Sequence, residues 1–252
     1  MRLSLVIVRM LRARLAPAVT LVGWSAVLAL LLGLSLWQVR RAEEKTRLID
    51  AFVAAQSASV DDAPDEEAAR RLAGEAAVFV KACVTGRYDE SRQFLLDGQV
   101  QGGQAGLHVW TPLIRETGPP VVVDRGWVAQ DARFGPAAPL DVGGGTRTAC
   151  GMLVRFPRSG WRLPPPRGAT DWPRRMVYPD INDLESALGL PVYPLLLLLD
   201  ADEPDGFLRR WQPVPLGPER HYGYAVQWAA LAATWVVATV VYRRRHRRST
   251  RR

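Results

Sequence analysis

Two uncharged apolar stretches, one near each end, constrain what this chain can fold into more than any other feature. They occupy residues 15–37 and 222–242 and contain no Asp, Glu, Lys or Arg. A helix of about 20 apolar residues spans the ~30 Å hydrocarbon core of a bilayer and satisfies its own backbone hydrogen bonds there. We therefore predict two transmembrane α-helices. A cleaved signal peptide is the alternative for the first stretch, but no small-residue cleavage site follows it.

Arginines at both ends predict the orientation of these helices. The tail arginines have no acidic residue among them and are Arg2, Arg9, Arg12, Arg14, Arg243, Arg244, Arg245, Arg247, Arg248, Arg251 and Arg252. Basic residues stay on the cytoplasmic side of a membrane. The predicted organisation is a cytoplasmic tail at 1–14, a span at 15–37, an outer domain at 38–221, a span at 222–242 and a cytoplasmic tail at 243–252.

The tails also account for the net charge of +8. Without these eleven arginines the chain carries 22 basic against 25 acidic residues. No basic stripe on a folded face remains, so nucleic-acid binding is not expected, and the tails are expected to contact anionic membrane lipid. Lys45 and Lys81 are the only lysines among the 33 basic residues. This bias is typical of a GC-rich bacterial genome and predicts a bacterial inner membrane with a periplasmic outer domain.

The outer domain is predicted to be mostly β with a few short helices, an α+β fold with one core. Apolar runs bounded by Gly and Pro predict strands at 77–84, 109–114, 121–128, 148–156 and 195–199. The first helix is expected to continue over 40–55, and a second short helix ends at Leu72. Asn182 and Glu185 form a capping-box pattern for a third helix that Gly189 ends. Residues 98–106 and 134–145 predict a turn and a loop.

No catalytic constellation can be assembled, so an enzyme is not predicted. The sequence has no Gly-rich phosphate loop, nucleophile elbow or His-x-x-x-His pair. Of the three histidines, His246 lies in the arginine tail and His108 lies at the start of a strand, where a surface or hydrogen-bonded role is the simplest interpretation. The segment Arg125-Gly126-Trp127 is interpreted as a strand end whose Trp packs in the core and whose Arg forms an ion pair.

His221 is the candidate ligand, because it lies where the outer domain meets the second span. Tyr222, Tyr224 and Trp228 follow it. One interpretation is an interfacial histidine beside an aromatic belt. The other is an axial ligand of haem iron, with aromatic side chains beside the macrocycle.

The only cysteines are Cys83 and Cys150, both on predicted strands. A periplasmic location permits a disulfide between them, and two buried free thiols are the alternative. Their spacing is not that of a C-x-x-C redox motif.

Several segments together resemble the surfeit locus protein one family. They occur in the family's order and cover nearly the whole chain: 33–40 (GLSLWQVR), Lys45, Leu48-Ile49, 86–89 (GRYD), 111–113 (TPL), 122–128 (VVDRGWV), 178–180 (YPD) and 221–228 (HYGYAVQW). The segment 122–128 is the most specific. Asp124 departs from the family pattern, which has Asn before Arg-Gly-Trp.

The resemblance implies a non-enzymatic assembly factor for haem–copper cytochrome c oxidase. Such proteins promote maturation of the haem a site in oxidase subunit I, and the histidine at the second span of some members binds haem a. Carried over by position, that residue is His221, with Trp228 beside the same site. The expected cofactor is haem a, and the expected partners are subunit I and haem a synthase. Two alternatives remain open: a structural assembly chaperone that binds no haem, and a two-span envelope sensor or secretion component.

Overall fold

The computed structural model describes residues 2–249 except 132, 134, 158–170, 178 and 215, and side-chain environments from residue 21 to residue 245. Tyr178, one of the residues that carry the family resemblance, lies outside the described residues, as does the side chain of His246. The described chain divides into two compact units. Residues 1–49 and 214–252 form the first, here called the helix pair, and residues 50–213 form the second, here called the β-domain.

Two long helices begin and end the chain, in agreement with the prediction of apolar terminal helices. Helix α1 runs over Arg2–Gln56 without a break, so the expected continuation of the first helix is confirmed. The last helix, α4, runs over Pro218–Ser249. Both are long and apolar enough to cross a membrane, with mean hydropathy of 1.7 within Leu21–Gln56 and 1.5 within Pro218–Arg245. Only 6% and 11% of these windows are buried, which is unlike the core helix of a soluble protein.

The described residues of the β-domain form eight strands and two short helices besides the end of α1. In chain order these are β1 (Asp61–Asp62), α2 (Glu66–Ala73), β2 (Val80–Tyr88), β3 (Phe94–Gln101), β4 (Gln104–Ile114), β5 (Val121–Ala129), β6 (Arg147–Arg155), β7 (Arg174–Met176), α3 (Ile181–Leu188) and β8 (Leu195–Leu199). The mostly-β prediction is therefore confirmed. The predicted turn at 98–106 is too long at both ends, because β3 continues to Gln101 and β4 begins at Gln104, so only Gly102 and Gly103 separate the two strands.

Five of the strands close into a small barrel. The sheet order is β1-β2-β6-β8-β5-β4-β3-β7, and β4 returns to pair with β2 through Arg87↔Ile114 and Tyr88↔Leu113. The β5–β8 pair is parallel, whereas the other four pairs in the ring are antiparallel. Closure removes the free edges of these strands. Gly151 permits the close approach of β6 to β8, since a Cβ there would lie 2.1 Å from the Leu198 carbonyl oxygen.

Apolar side chains fill the barrel and also cover its outer surface. One buried cluster, inside the ring, includes Val84, Leu113, Val123, Leu153 and Leu197. A second cluster joins the outer face of the strands to α3 through side chains such as Trp110, Leu184 and Leu196. Because β5 and β8 contribute to both clusters, their sequences are continuous apolar runs instead of alternating patterns.

The N-cap of helix α3 lies two residues before the predicted capping residue. Asp180, not Asn182, is the N-cap, and the capping box pairs the Asp180 side chain with Asp183. An Asp at both positions serves as well as the Ser/Thr and Glu of the usual pattern, because each carboxylate accepts a backbone N–H. Gly189 ends the helix in the left-handed conformation, as predicted, with φ of 72°.

Cys83 and Cys150 form a disulfide across the barrel wall. They lie directly opposite each other in the antiparallel register of β2 and β6. Of the two alternatives open from the sequence, the structure therefore selects the disulfide.

Candidate functional site

The helix pair holds the candidate ligand in a hydrogen-bonded interface between α1 and α4. Residue numbers in the bonded pairs increase along α1 while they decrease along α4, so the two helices are antiparallel. Three side chains bridge them: Trp235 Nε1 donates to the Trp24 carbonyl at 3.1 Å, Ser35 Oγ donates to the Ala225 carbonyl at 2.9 Å, and His221 Nδ1 lies 2.8 Å from Gln38 Oε1. Ala225 and Ala232 are almost fully buried, and such small residues let helix backbones approach closely.

The hydrogen bond to Gln38 determines which ring nitrogen of His221 is free. An amide oxygen only accepts, so Nδ1 carries the hydrogen and Nε2 of the neutral ring keeps its lone pair. The imidazole is partly buried and lies in the first turn of α4. A histidine that binds a metal commonly donates the N–H of its other ring nitrogen to an oxygen acceptor. This hydrogen bond fixes the tautomer and the orientation of the imidazole ring. In this tautomer Nε2 of His221 is the ring nitrogen with the lone pair that a metal or a hydrogen-bond donor would use.

Trp228 lies two helical turns after His221, on the same face of α4. Helical periodicity places residues seven apart nearly in line, and Ala225 between them is buried against α1 through its bond to Ser35. The structure thus brings the two predicted site residues, His221 and Trp228, to one helix face. Among the described residues, no three His, Cys, Asp or Glu side chains gather into a metal-binding cluster. The imidazole of His221 is thus a single donor, as a haem axial ligand can be.

The β-domain contains a buried arginine that the sequence reading assigned to an ion pair. Arg125 is 2% exposed, and no carboxylate of the described chain lies within salt-bridge distance of it. Its guanidinium instead donates to oxygen atoms of the surrounding loops and strands: the Asp205 carbonyl at 2.7 Å, the Leu140 carbonyl at 2.8 Å, Gln93 Oε1 at 3.1 Å and Thr111 Oγ1 at 3.4 Å. The predicted ion pair is therefore wrong, because carbonyl and amide oxygens satisfy this cation.

The backbone conformation and the close packing at position 126 require a glycine. Its φ is 108°, a conformation that L-residues rarely adopt, and an added Cβ would lie 2.9 Å from the Leu208 carbonyl oxygen. The chain can thus turn so that Trp127 N donates to that carbonyl at 2.8 Å. Trp127 itself is 8% exposed, as its predicted core position requires.

His108 pairs with Asp124 inside the β-domain. A register shift in β4 between His108 and Trp110 brings Nδ1 to 2.9 Å from Asp124 Oδ2. The carboxylate, only 6% exposed, also accepts the Gly126 N–H at 2.9 Å. Burial lowers the pKa of His108, but the charge and hydrogen bond of Asp124 outweigh it and raise the pKa above its ordinary value.

Replacing Asp124 with Asn is expected to lower the pKa of His108, which can be measured by NMR titration of the imidazole. A histidine with a raised folded-state pKa stabilises the protein fully below its unfolded pKa of about 6.5. This contribution is lost as the pH rises through the higher folded-state pKa. In the Asp124→Asn variant, the free energy of unfolding should therefore decrease less as the pH rises over that range. Asp61→Asn, on an exposed strand, is the control, and an unchanged imidazole titration in Asp124→Asn would refute the pairing.

Sequence reasoning named His221 and Trp228 as candidate site residues but missed Gln38, which bonds to His221. A polar residue that follows an apolar stretch directly was a signal that could have identified it. It also treated Asp124 as a departure from a pattern, without pairing it with His108. The missed pair depends on the shifted register in β4, which no local sequence signal shows.

Comparison with known proteins agrees with this architecture. The model of the SURF1 family matches residues 25–233, from α1 through the β-domain into α4. The chain is 27% identical over 168 residues to the cytochrome oxidase assembly protein SHY1 of Saccharomyces cerevisiae, an alignment covering 62% of this chain. It spans 40% of the length of that yeast protein. Since the family model matches most of its residues, this chain belongs to the SURF1 family.

Proposed function

We propose that this protein is an assembly factor for cytochrome c oxidase, anchored in a membrane by α1 and α4. The support is membership of the SURF1 family together with similarity to a yeast protein named for cytochrome oxidase assembly. Helices with mean hydropathy of 1.7 and 1.5 support the anchoring. In this proposal the membrane is a bacterial inner membrane, the arginine tails are cytoplasmic and contact anionic lipid, and the β-domain is periplasmic.

The finer proposal is that His221 ligates haem a during insertion into oxidase subunit I. The observation that carries it is the 2.8 Å contact between His221 Nδ1 and Gln38 Oε1, which leaves Nε2 as a free donor. Haem, when bound, supplies an iron atom that accepts an axial imidazole. Gln38 would orient the ring, and Trp228 would supply an aromatic surface on the same helix face. Subunit I and haem a synthase are the proposed partners.

A second candidate keeps the assembly role but has no haem step. The folded β-domain, with its closed barrel, would then hold subunit I in a cofactor-accepting state. The third candidate function is that of a two-span sensor or secretion component, which has no role in oxidase assembly.

His221→Ala is expected to abolish haem binding, because the variant retains no imidazole at this position. The measurement is the visible spectrum and haem content of the full chain purified in detergent from cells that make haem a. Gln38→Ala is expected to weaken haem affinity about 10–100-fold, the usual effect of losing the group that orients a metal ligand. Gln227→Ala, an exposed change on α4, is the matched control. Equal haem content in wild type and His221→Ala would remove the haem step and leave the structural assembly role.

Deleting the gene tests the assembly role itself. Loss of oxidase activity and of haem a in the membrane, restored by the wild-type gene, is the expected outcome. Restoration by the His221→Ala gene as well would favour the structural candidate. Normal oxidase activity after deletion would exclude both forms of the proposal and favour the sensor reading.

A further inference from the structure

One end of the β-barrel opens into a cavity of about 200 Å³. It lies where β2 and β8 end and β6 begins, and we call it the barrel mouth. Its lining includes Tyr88, Arg147, Thr148, Leu199, Glu203 and Asp205. Barrel mouths are preferred places for ligand sites. With a water occupying ~30 Å³ of liquid volume, this cavity has room for a ligand of only a few non-hydrogen atoms.

Two arginines, one in the wall of the barrel mouth and one in the adjoining loop, carry buried nitrogens without a described hydrogen-bond partner. Arg147 Nε is buried and has no hydrogen-bond partner among the described residues, although the same guanidinium bonds to Asp205 and to the Val142 carbonyl. Arg209, held inside the loop that carries Glu203 and Asp205, has two further buried nitrogens without partners, Nε and Nη1. A buried donor left without an acceptor costs about 1–3 kcal/mol, so such atoms call for an acceptor.

Tyr88 adds a hydroxyl donor from the barrel interior. Its side chain is 8% exposed and lines the cavity, and within the described part of the chain its hydroxyl has no hydrogen-bond partner. Burial raises the pKa of Tyr88 to about 12, against the opposing effect of Arg125. The hydroxyl therefore stays protonated and can donate throughout the physiological range.

We propose that the barrel mouth binds a small carboxylate group, with the Tyr88 hydroxyl and the Arg147 guanidinium as donors. A carboxylate oxygen would accept the Nε–H of Arg147 that has no described partner, and such a charge-assisted hydrogen bond is stronger than a neutral one. Arg125 lies behind Tyr88, with its guanidinium carbon 5.8 Å from the ring centre, and adds a buried positive charge that no carboxylate among the described residues contacts directly. Glu203 and Asp205 also line the cavity and oppose additional negative charge by like-charge repulsion, so a singly charged carboxylate is favoured over a doubly charged phosphate.

The backbone conformation of Asp205 is a further observation that points to a ligand site at this end of the barrel. It is the only non-glycine residue in the described part of the chain with positive φ, at 65°. Strained backbone of this kind concentrates at ligand sites. Here it directs the Asp205 carbonyl to Arg125 at 2.7 Å while the side chain meets Arg147, so one residue connects the buried cation to the cavity wall.

The carboxylate can come from a free small acid or from the end of a polypeptide, and two probes distinguish these sources. Acetate represents the first and N-acetylglycine the second, with neutral N-acetylglycinamide and phosphate as comparisons. Binding to the full chain in detergent is measured by ligand-observed NMR and by the shift in Tm, with ionic strength held constant by chloride. A probe at tenfold excess over its Kd should raise Tm by about 3 °C.

Tyr88→Phe is the decisive variant, because it removes only a hydroxyl that bonds to no described residue. We expect it to weaken carboxylate binding about tenfold, as loss of one hydrogen bond to a charged group does. Tyr193→Phe is the matched control. It removes a buried hydroxyl bonded to the Pro64 carbonyl at 2.7 Å, so it should lower Tm but leave the Kd of the probe unchanged.

Three outcomes would overturn the proposal. They are equal Kd values for wild type and Tyr88→Phe, binding of N-acetylglycinamide as tight as that of N-acetylglycine, and phosphate binding tighter than either carboxylate. Because the probes need neither haem nor His221, failure here leaves the proposed assembly function untouched, and failure of that function leaves this site untouched.

Discussion

Replacing Arg125 with alanine is expected to lower the free energy of unfolding of the β-domain by about 4 kcal/mol. Two effects add. The guanidinium is the donor to two carbonyl oxygens, one amide oxygen and one hydroxyl, and all four lose it at once. The side chain also fills space between Tyr88 and Phe207, whose ring centre lies 5.0 Å from the guanidinium carbon, so truncation leaves a cavity. Urea unfolding of the full chain in detergent, followed by tryptophan fluorescence, measures the loss.

Arg125→Met separates these two effects. Methionine fills much of the volume but donates no hydrogen bond, so we expect it to cost roughly half as much as alanine, about 2 kcal/mol. Removing a buried cation also relieves its desolvation, which lowers the pKa of Arg125 in the wild type. Arg87→Ala, on the exposed side of β2, is the control and should change stability by less than about 0.5 kcal/mol. A methionine variant as stable as wild type would show that the hydrogen bonds contribute nothing net.

Strands that lie wholly in the core were predictable because burial on both faces requires a continuous run of apolar residues in the sequence. The predicted strand at 121–128 and the observed β5 (Val121–Ala129) differ by one residue, and the predicted 195–199 is the observed β8. Strand β3 was missed because its buried apolar run has only three residues, Phe94 to Leu96, before a register irregularity that includes Gly98, whose φ is 74°. Strand β7 has only three residues and owes its pairing to β3. Tertiary contact, which is not visible locally, determines such strands.

The candidate site was predictable only in part, and for a similar reason. His221 and Trp228 stand in one continuous segment, so the sequence alone places them on one helix face. Gln38 lies 183 residues from His221 along the chain, and only the antiparallel packing of α1 on α4 joins them. Arg125 was given an ion pair because buried charges are usually paired. Its actual acceptors come from four separate places in the chain, which no spacing rule predicts.

Removing the disulfide is expected to lower the free energy of unfolding of the β-domain by about 4 kcal/mol, the loop-closure value for a bond of this span. Cys83 and Cys150 are 67 residues apart in sequence, so the bond excludes many extended conformations of the unfolded chain. In the native state the same two residues are already aligned by the β2–β6 ladder, whose register runs from Val80↔Leu153 to Gly86↔Arg147. The folded structure should therefore survive the loss with its strand pairing intact.

The double variant Cys83→Ala with Cys150→Ala, compared with wild type in urea, measures this loss. A reducing agent should destabilise wild type by a similar amount and leave the double variant unchanged, which separates the bond from any packing effect of alanine. Because disulfides persist in oxidising compartments and are rare in the cytoplasm, the bond also bears on the proposed periplasmic location. Denatured wild-type protein taken directly from cells should resist alkylation by maleimide until it is reduced. Alkylation before reduction would show free thiols in the cell, and it would contradict both the native disulfide and the side of the membrane proposed for the β-domain.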